Sequence, residues 1–256
     1  MLDSFRILVA RWSEWDRLVP LSLLVALAAL ACLHSPRLSD DSFAHFTESV
    51  DVIRASDWER ALADTWNKPA TVVAYGFVGL AGLSTARVVS VLLCFLAAIL
   101  TAETARRWRW VDGPGVWMFG LAALLFQPAL LSQSILTMAE QLAAFLLALG
   151  LWLQADRRFL AAALAWGFMP LARMEAGFVL GALLAAAAWR SPAPPERPGS
   201  GGRLAVWPWV LGLLPCAAWY VAGVSITGKL DWPLASYCYP RPFALTDVLC
   251  VNGFTG

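Results

Sequence analysis

Ser39-Asp40-Asp41-Ser42-Phe43-Ala44-His45-Phe46 puts two adjacent carboxylates and a histidine directly after the first long apolar run of the chain. Ionisable groups at the edge of an apolar run are costly, and by default they mark a functional position. Crowding and low polarity raise a carboxyl pKa toward the range where it works as a general base. Asp40 and Asp41 are the candidates for that role. His45, about one helical turn beyond Asp41, has the spacing to orient the acid or to touch a phosphate. The ordinary alternative is that Asp40 or Asp41 caps a helix over residues 44–53.

Four more charged residues interrupt apolar sequence. Arg173 and Glu175 form the elbow Arg173-Met174-Glu175. A guanidinium there can fork onto a phosphate, or it can snorkel to the membrane surface and pair with Glu175. Glu140, after Thr137-Met138-Ala139, can position an acceptor or a cation, or simply complement the start of its own helix. Lys68, in Trp66-Asn67-Lys68-Pro69, is either a second phosphate contact or an interfacial anchor. A base and cationic clamps are what a group transfer from a phosphate leaving group needs, because negative charge builds on the departing oxygen.

The elements that must position these residues follow from composition. Hydrophobic residues make up 59% of the chain and charged residues 14%, with a mean hydropathy of +0.63. That lies well outside the soluble mix of roughly half apolar and a quarter charged, and points to an integral membrane protein. A net charge of +1, with no Lys/Arg stripe interleaved with aromatics, argues against a nucleic-acid partner. Apolar runs at 18–34, 87–104, 116–131, 137–154, 159–171, 176–189 and 204–224 predict an all-α, polytopic transmembrane bundle of about seven spans. Residues 69–83 are ambiguous, and the positive-inside rule decides them. If they do not cross and the N-terminus is cytoplasmic, Arg106-Arg107-Trp108-Arg109, Arg157-Arg158 and the basic stretch 190–203 all fall inside. The segment is therefore expected to be a re-entrant or interfacial helix, with Gly76, Gly79 and Gly82 allowing close packing. The loop 35–68, the turn 132–137 leading into Glu140 and the Arg173 elbow then share the external face.

Residues 1–190 read as one transmembrane module, 191–203 as a Pro/Gly-rich cytoplasmic linker, and 204–256 as a last span with an external tail. The tail stops without a closing element, so the sequence is expected to be part of a longer chain. Cys32, Cys94 and Cys216 read as small buried hydrophobes. Cys238 and Cys250 lie in the external tail, where a disulfide is compatible with an oxidising compartment. No residues have metal-ligand spacing, so no cofactor is assigned, although a divalent cation beside the acids is compatible with the sequence.

The order of these motifs resembles the membrane-embedded glycosyltransferases of the C superfamily, which include oligosaccharyltransferases, protein O-mannosyltransferases and aminoarabinose transferases. The residues that carry the resemblance are Asp40-Asp41 in the first external loop, Lys68-Pro69 opening a juxtamembrane helix, and Ala86-Arg87 starting the second span. Thr137-Met138-Ala139-Glu140 and Arg173-Met174-Glu175 complete it, the latter similar to an Arg-Pro-Glu element but with Met174 in place of proline. The resemblance covers roughly residues 18–190. It implies a transferase of the inner (plasma) membrane that takes a sugar from a polyprenyl-phosphate donor, with Asp40 as the catalytic acid. A transporter or flippase is the competing reading, because discontinuous helices also build transport sites.

Overall fold

The computed structural model describes residues 14–33, 40–64, 68–110, 127, 136–137, 139–190 and 207–233. The described part is all-helical, with no strand. The elements are α1 (Glu14–Leu33), α2 (Asp40–Ala55), α3 (Trp58–Ala63), α4 (Pro69–Gly79), α5 (Leu83–Arg107), α6 (Ala139–Ala155), α7 (Phe159–Ala172), α8 (Ala176–Arg190) and α9 (Trp207–Thr227). The apolar run 116–131, the linker 191–203 and the cysteines of the tail lie outside the described residues.

Among the described residues two helices are long and apolar enough to cross a membrane: α5, with 25 residues and a mean hydropathy of 2.2, and α9, with 21 residues and 1.7. By that measure the expectation of about seven spans is met only in part, because α6, α7 and α8 are apolar but shorter. At 1.5 Å per residue α4 is about 16 Å long, roughly half of a hydrocarbon core. Its middle, Val72–Gly76, is a π-helical turn, and it stops before Gly82, whose φ of 111° lies in the region that favours glycine.

Side-chain contacts fix the helix directions. Leu23, Leu24 and Leu27 of α1 pack on Phe95, Ala98, Ile99 and Ala102 of α5, and Cys32 lies near Arg87, so α1 and α5 are antiparallel. Arg107, at the end of α5, bonds Asp156, just beyond the end of α6, at 2.7 Å. Hence α5 and α6 run parallel, and α5 ends where α6 finishes rather than where it begins. The start of α9 packs on the start of α7 through Trp209 against Phe159 and Trp166. Farther along α9, the Trp219 indole N–H donates to the Leu62 carbonyl at 2.9 Å. The helices α2, α3 and α4 therefore cover one end of the bundle, which holds the beginnings of α5 and α6 and the ends of α7 and α9.

Small residues set the close approaches. A Cβ on Gly76 would meet the Ser49 carbonyl oxygen at 2.6 Å, and one on Gly79 would meet Val50 at the same distance, so α4 lies against α2 as the glycine spacing suggested. Gly82 corrects that expectation. Nothing lies within 4 Å of its Cβ position, and its role is the positive φ that ends α4. Cys94 is buried as expected, but Cys32 is exposed and Cys216 only half-buried.

The tightest crossing joins α7 to α9, where a Cβ on Gly167 would fall 1.9 Å from the Gly212 carbonyl oxygen. Gly167→Ala should therefore force the helices apart and cost about 1–3 kcal/mol, the usual penalty of overpacking. Gly181→Ala, at a position with nothing within 4 Å, should leave thermal unfolding in detergent unchanged or slightly improved. Equal melting of the two variants would contradict the crossing.

Candidate functional site

Four of the charged residues singled out in the sequence meet at the covered end of the bundle. Pro170 opens the last turn of α7, Met169–Ala172, and Arg173 then leaves the helix in an extended conformation. The Arg173 Nη1–H donates to Glu140 Oε1 in the first turn of α6. The Arg173 Nε group faces Glu175 Oε2 at 3.4 Å. A guanidinium has five N–H donors in a planar fork. Among the described residues Nη2 has no partner, and the Arg173 side chain is half-exposed. The other Glu140 oxygen, Oε2, is buried and accepts no hydrogen bond among the described residues.

Lys68 comes from the start of α4 and is only 6% exposed. Burial pushes its ammonium below the usual lysine range. Glu175 acts in the opposite direction, Arg173 adds to the lowering, and Asp64 and Glu140 oppose it as Glu175 does. The strand of chain that carries Lys68 is fixed to the elbow by the Thr71 hydroxyl, which donates to the Ala172 carbonyl at 3.3 Å. A second carboxylate grouping lies behind Lys68. Glu48 bonds Arg60 at 2.5 Å, and burial together with the nearby Asp64 raises its pKa.

The acid pair reaches the same end through Ser42. The Thr137 backbone N–H donates to the Ser42 Oγ at 2.9 Å, and the Thr137 hydroxyl donates to the Ser42 carbonyl at 2.8 Å. Both residues are fully buried. Ser42 is two residues beyond Asp40, and Thr137 is three before Glu140, so these bonds join the start of α2 to the start of α6. Asp40 and Asp41 form the first turn of α2, as a helix start would; their side chains lie outside the described residues. His45 is buried on the α2 face that carries Ser42 and Ser49, and its carbonyl accepts the Ser49 hydroxyl at 2.6 Å. Lys68, Glu140, Arg173 and Glu175 thus form one charged cluster, and His45 belongs to the packing beside it. Among the described residues no group of three or more His, Cys, Asp or Glu could hold a metal.

Sequence reasoning missed the charge network at the opposite end of the bundle. Glu103, 1% exposed, takes Arg106 at 2.6 Å and Arg107 at 3.1 Å, and Asp156 takes Arg107 and Arg158. The Arg107 guanidinium also lies 4.9 Å from the Trp152 ring centroid. The i, i+3 and i, i+4 spacing of Glu103, Arg106 and Arg107 was the available signal. Also missed was the buried hydrogen bond from the Ser90 hydroxyl to the Tyr75 oxygen at 3.1 Å, which pins the π turn of α4 to α5.

Thr137→Val keeps the shape but removes the hydroxyl that bonds the Ser42 carbonyl. With a buried acceptor left unsatisfied, the expected loss is about 1–3 kcal/mol of stability. Protease cleavage or hydrogen exchange at the start of α2 should report it first; unchanged protection there would show that the clamp does not hold the acid pair.

Compared with known protein families, curated proteins and solved structures, the chain matches none.

Proposed function

We propose that the chain is a membrane glycosyltransferase that moves a sugar from a polyprenyl-phosphate donor to an acceptor hydroxyl at the external face of the plasma (inner) membrane. The observation that carries this reading is the cationic edge at the covered end of the bundle. Arg173 is held by two carboxylates with Nη2 left over, Lys68 is buried beside it, and the Ser42–Thr137 clamp brings the start of α2 to the same place.

In this reading Asp40 removes the proton of the acceptor hydroxyl as its oxygen attacks the anomeric carbon. The bond from that carbon to the phosphate oxygen breaks, and polyprenyl phosphate departs with the electron pair. Arg173 and Lys68 stabilise the charge that develops there, a task for which a guanidinium fork suits a phosphate better than a point charge does. Asp41 starts α2 beside the base, and Glu175 holds Arg173 from its own side.

The membrane part of the proposal draws on the outer surface. Phe178 is 87% exposed and Val221 61%, with Leu33, Val210 and Leu214 also outward, side chains that lipid would cover. Glu140 and Asp156 bracket α6 about 24 Å apart, and Arg158 and Arg173 bracket α7 about 22 Å apart, so their charges sit at helix ends with apolar sequence between. Helix directions are compatible with seven crossings if 116–131, outside the described residues, returns the chain from the end of α5 to the start of α6. Charges at the ends, rather than at mid-bundle, favour a transferase over a transporter, whose site would lie near the midplane.

The direct test is sugar transfer from a series of polyprenyl-phosphate sugars by the chain in lipid nanodiscs, with and without a chelator to reveal any divalent-cation requirement. Asp40→Asn should lower turnover at least about a hundredfold with normal expression, as loss of a general base does. Near-normal turnover would remove Asp40 from the chemistry. Arg173→Ala should weaken donor use by about 2–3 kcal/mol, the worth of a charge-assisted contact, and unchanged donor kinetics would leave Arg173 a surface anchor.

Lys68 gives a prediction in pH. Its lowered pKa means that the folded state holds fewer protons than the unfolded one between that value and the ordinary lysine value near 10.5. Stability should rise with pH across that window, while donor affinity falls as the ammonium is lost. Lys68→Met should abolish both trends, measured by unfolding and by donor binding at stepped pH; a variant that keeps them would assign the pH dependence to another group.

A further inference from the structure

We propose that Glu140 is the residue that reads the sugar of the donor, accepting a hydrogen bond from one of its hydroxyls at Oε2; this rests on the transferase reading above. The inference starts from an imbalance within one carboxylate. Oε1 is taken by the Arg173 Nη1–H, but Oε2 is buried and accepts nothing among the described residues. A buried carboxylate oxygen without a donor costs free energy in the empty site, and a bound ligand that brings an O–H or N–H removes that cost.

The geometry selects a sugar hydroxyl as that donor. Arg173, bonded to Glu140 itself, and Lys68, whose ammonium lies in the field of Glu140, are the cations that the transferase reading assigns to the phosphate. The phosphate carries two groups, the polyprenyl chain and the sugar, and of these only the sugar has O–H donors, so the donor that meets an acceptor beside the phosphate clamp is a hydroxyl of that ring. Glu140 is also rigidly based. It lies in the first turn of α6, next to the buried Gln141, whose amide donates to the Leu136 carbonyl at 3.3 Å, and to the Thr137 clamp. A site built to hydrogen-bond a hydroxyl rejects the analogue that lacks it, because the protein oxygen is then left without a partner.

Glu140→Gln separates the two oxygens. Its amide oxygen still accepts from Arg173, which has no acceptor of its own, so the amide NH2 takes the position of Oε2 and turns an acceptor into a donor. Glu140 is thus a specificity residue, and its variant should lose the preference for one sugar hydroxyl.

The experiment measures binding to nanodisc-held protein of polyprenyl phosphate, of polyprenyl-phosphate mannose and glucose, and of the deoxy forms of the tighter sugar lipid. Wild-type protein should bind one sugar lipid more tightly than the bare phosphate and lose about tenfold or more for one deoxy position, the scale of a lost hydrogen bond to a charged group. Glu140→Gln should lose the preference for that hydroxyl, read as the ratio of the parent and deoxy affinities within the variant, so that any change in phosphate binding common to both lipids cancels. The deoxy series on wild type needs no variant to fold. Wild-type indifference to the sugar and to every deoxy position, or discrimination kept in Glu140→Gln, would overturn the assignment while Arg173-dependent phosphate binding left the transferase reading standing. Failure to bind any of these lipids would overturn both.

Discussion

The Glu140–Arg173 ion pair is the constraint on which the covered end of the bundle depends. It joins the first turn of α6 to the end of α7 at the point where both helices run out of apolar sequence. Both side chains are partly exposed, so the pair by itself contributes little, and its geometry is fixed by further hydrogen bonds. Those further bonds come from neighbours on other elements: Glu175 on the second side of Arg173, Thr71 on the Ala172 carbonyl, and the Thr137 clamp three residues before Glu140. Each of them also brings a segment from elsewhere in the chain. The polar end is therefore assembled by the same contacts that satisfy it, and breaking one should loosen its neighbours.

The glycines of α4 serve that assembly from the other side. Since Gly76 and Gly79 carry no Cβ, α4 lies directly on α2, and the backbone of α2 comes close enough for Ser42 to reach Thr137. The π turn at Val72–Gly76 adds a residue to the helix without ending it and leaves Tyr75 buried against Ser90. A side chain at either glycine would meet the Ser49 carbonyl or the Val50 side chain, and the displacement would pass along α2 toward the acid pair. Packing at two small residues thus bears on the start of α2, 35 to 39 positions before them in sequence.

Much of the fold was legible because its signals are local. Apolar runs gave α5, α6, α7 and α8 to within a few residues, and the break between α7 and α8 at Arg173-Met174-Glu175 was visible as charge within apolar sequence. Whether each helix is long enough to cross was less legible: among the described residues two meet that measure, and α6 and α7, which do not, end at charged residues that pair. Charge clusters could be listed from the sequence, but their partners could not. Nothing local indicates that Glu140 meets Arg173, 33 positions away, or that Thr137 meets Ser42, 95 positions away. His45 lies on the buried face of α2 with Ser42 and Ser49, a placement that its spacing from Asp41 alone did not reveal.

The two charged ends of the bundle differ in how completely their groups are used, and that difference separates support from function. At the end of α5 every member is shared: Glu103 serves Arg106 and Arg107, Asp156 serves Arg107 and Arg158, and Arg107 rests on the Trp152 ring. That set spends its charge on holding α5 beside α6, although the buried Trp152 Nε1–H has no acceptor among the described residues. At the opposite end, among the described residues, Arg173 Nη2 and the buried Glu140 Oε2 have no partner, and Lys68 is held where its charge is disfavoured. A folded chain gains nothing from these deficits on its own account, since replacing them with apolar groups of the same volume would cost little or stabilise it. On the proposed reading, a molecule that carries both an anion and hydrogen-bond donors completes them, and a phosphate bearing a hydroxylated ring is such a molecule.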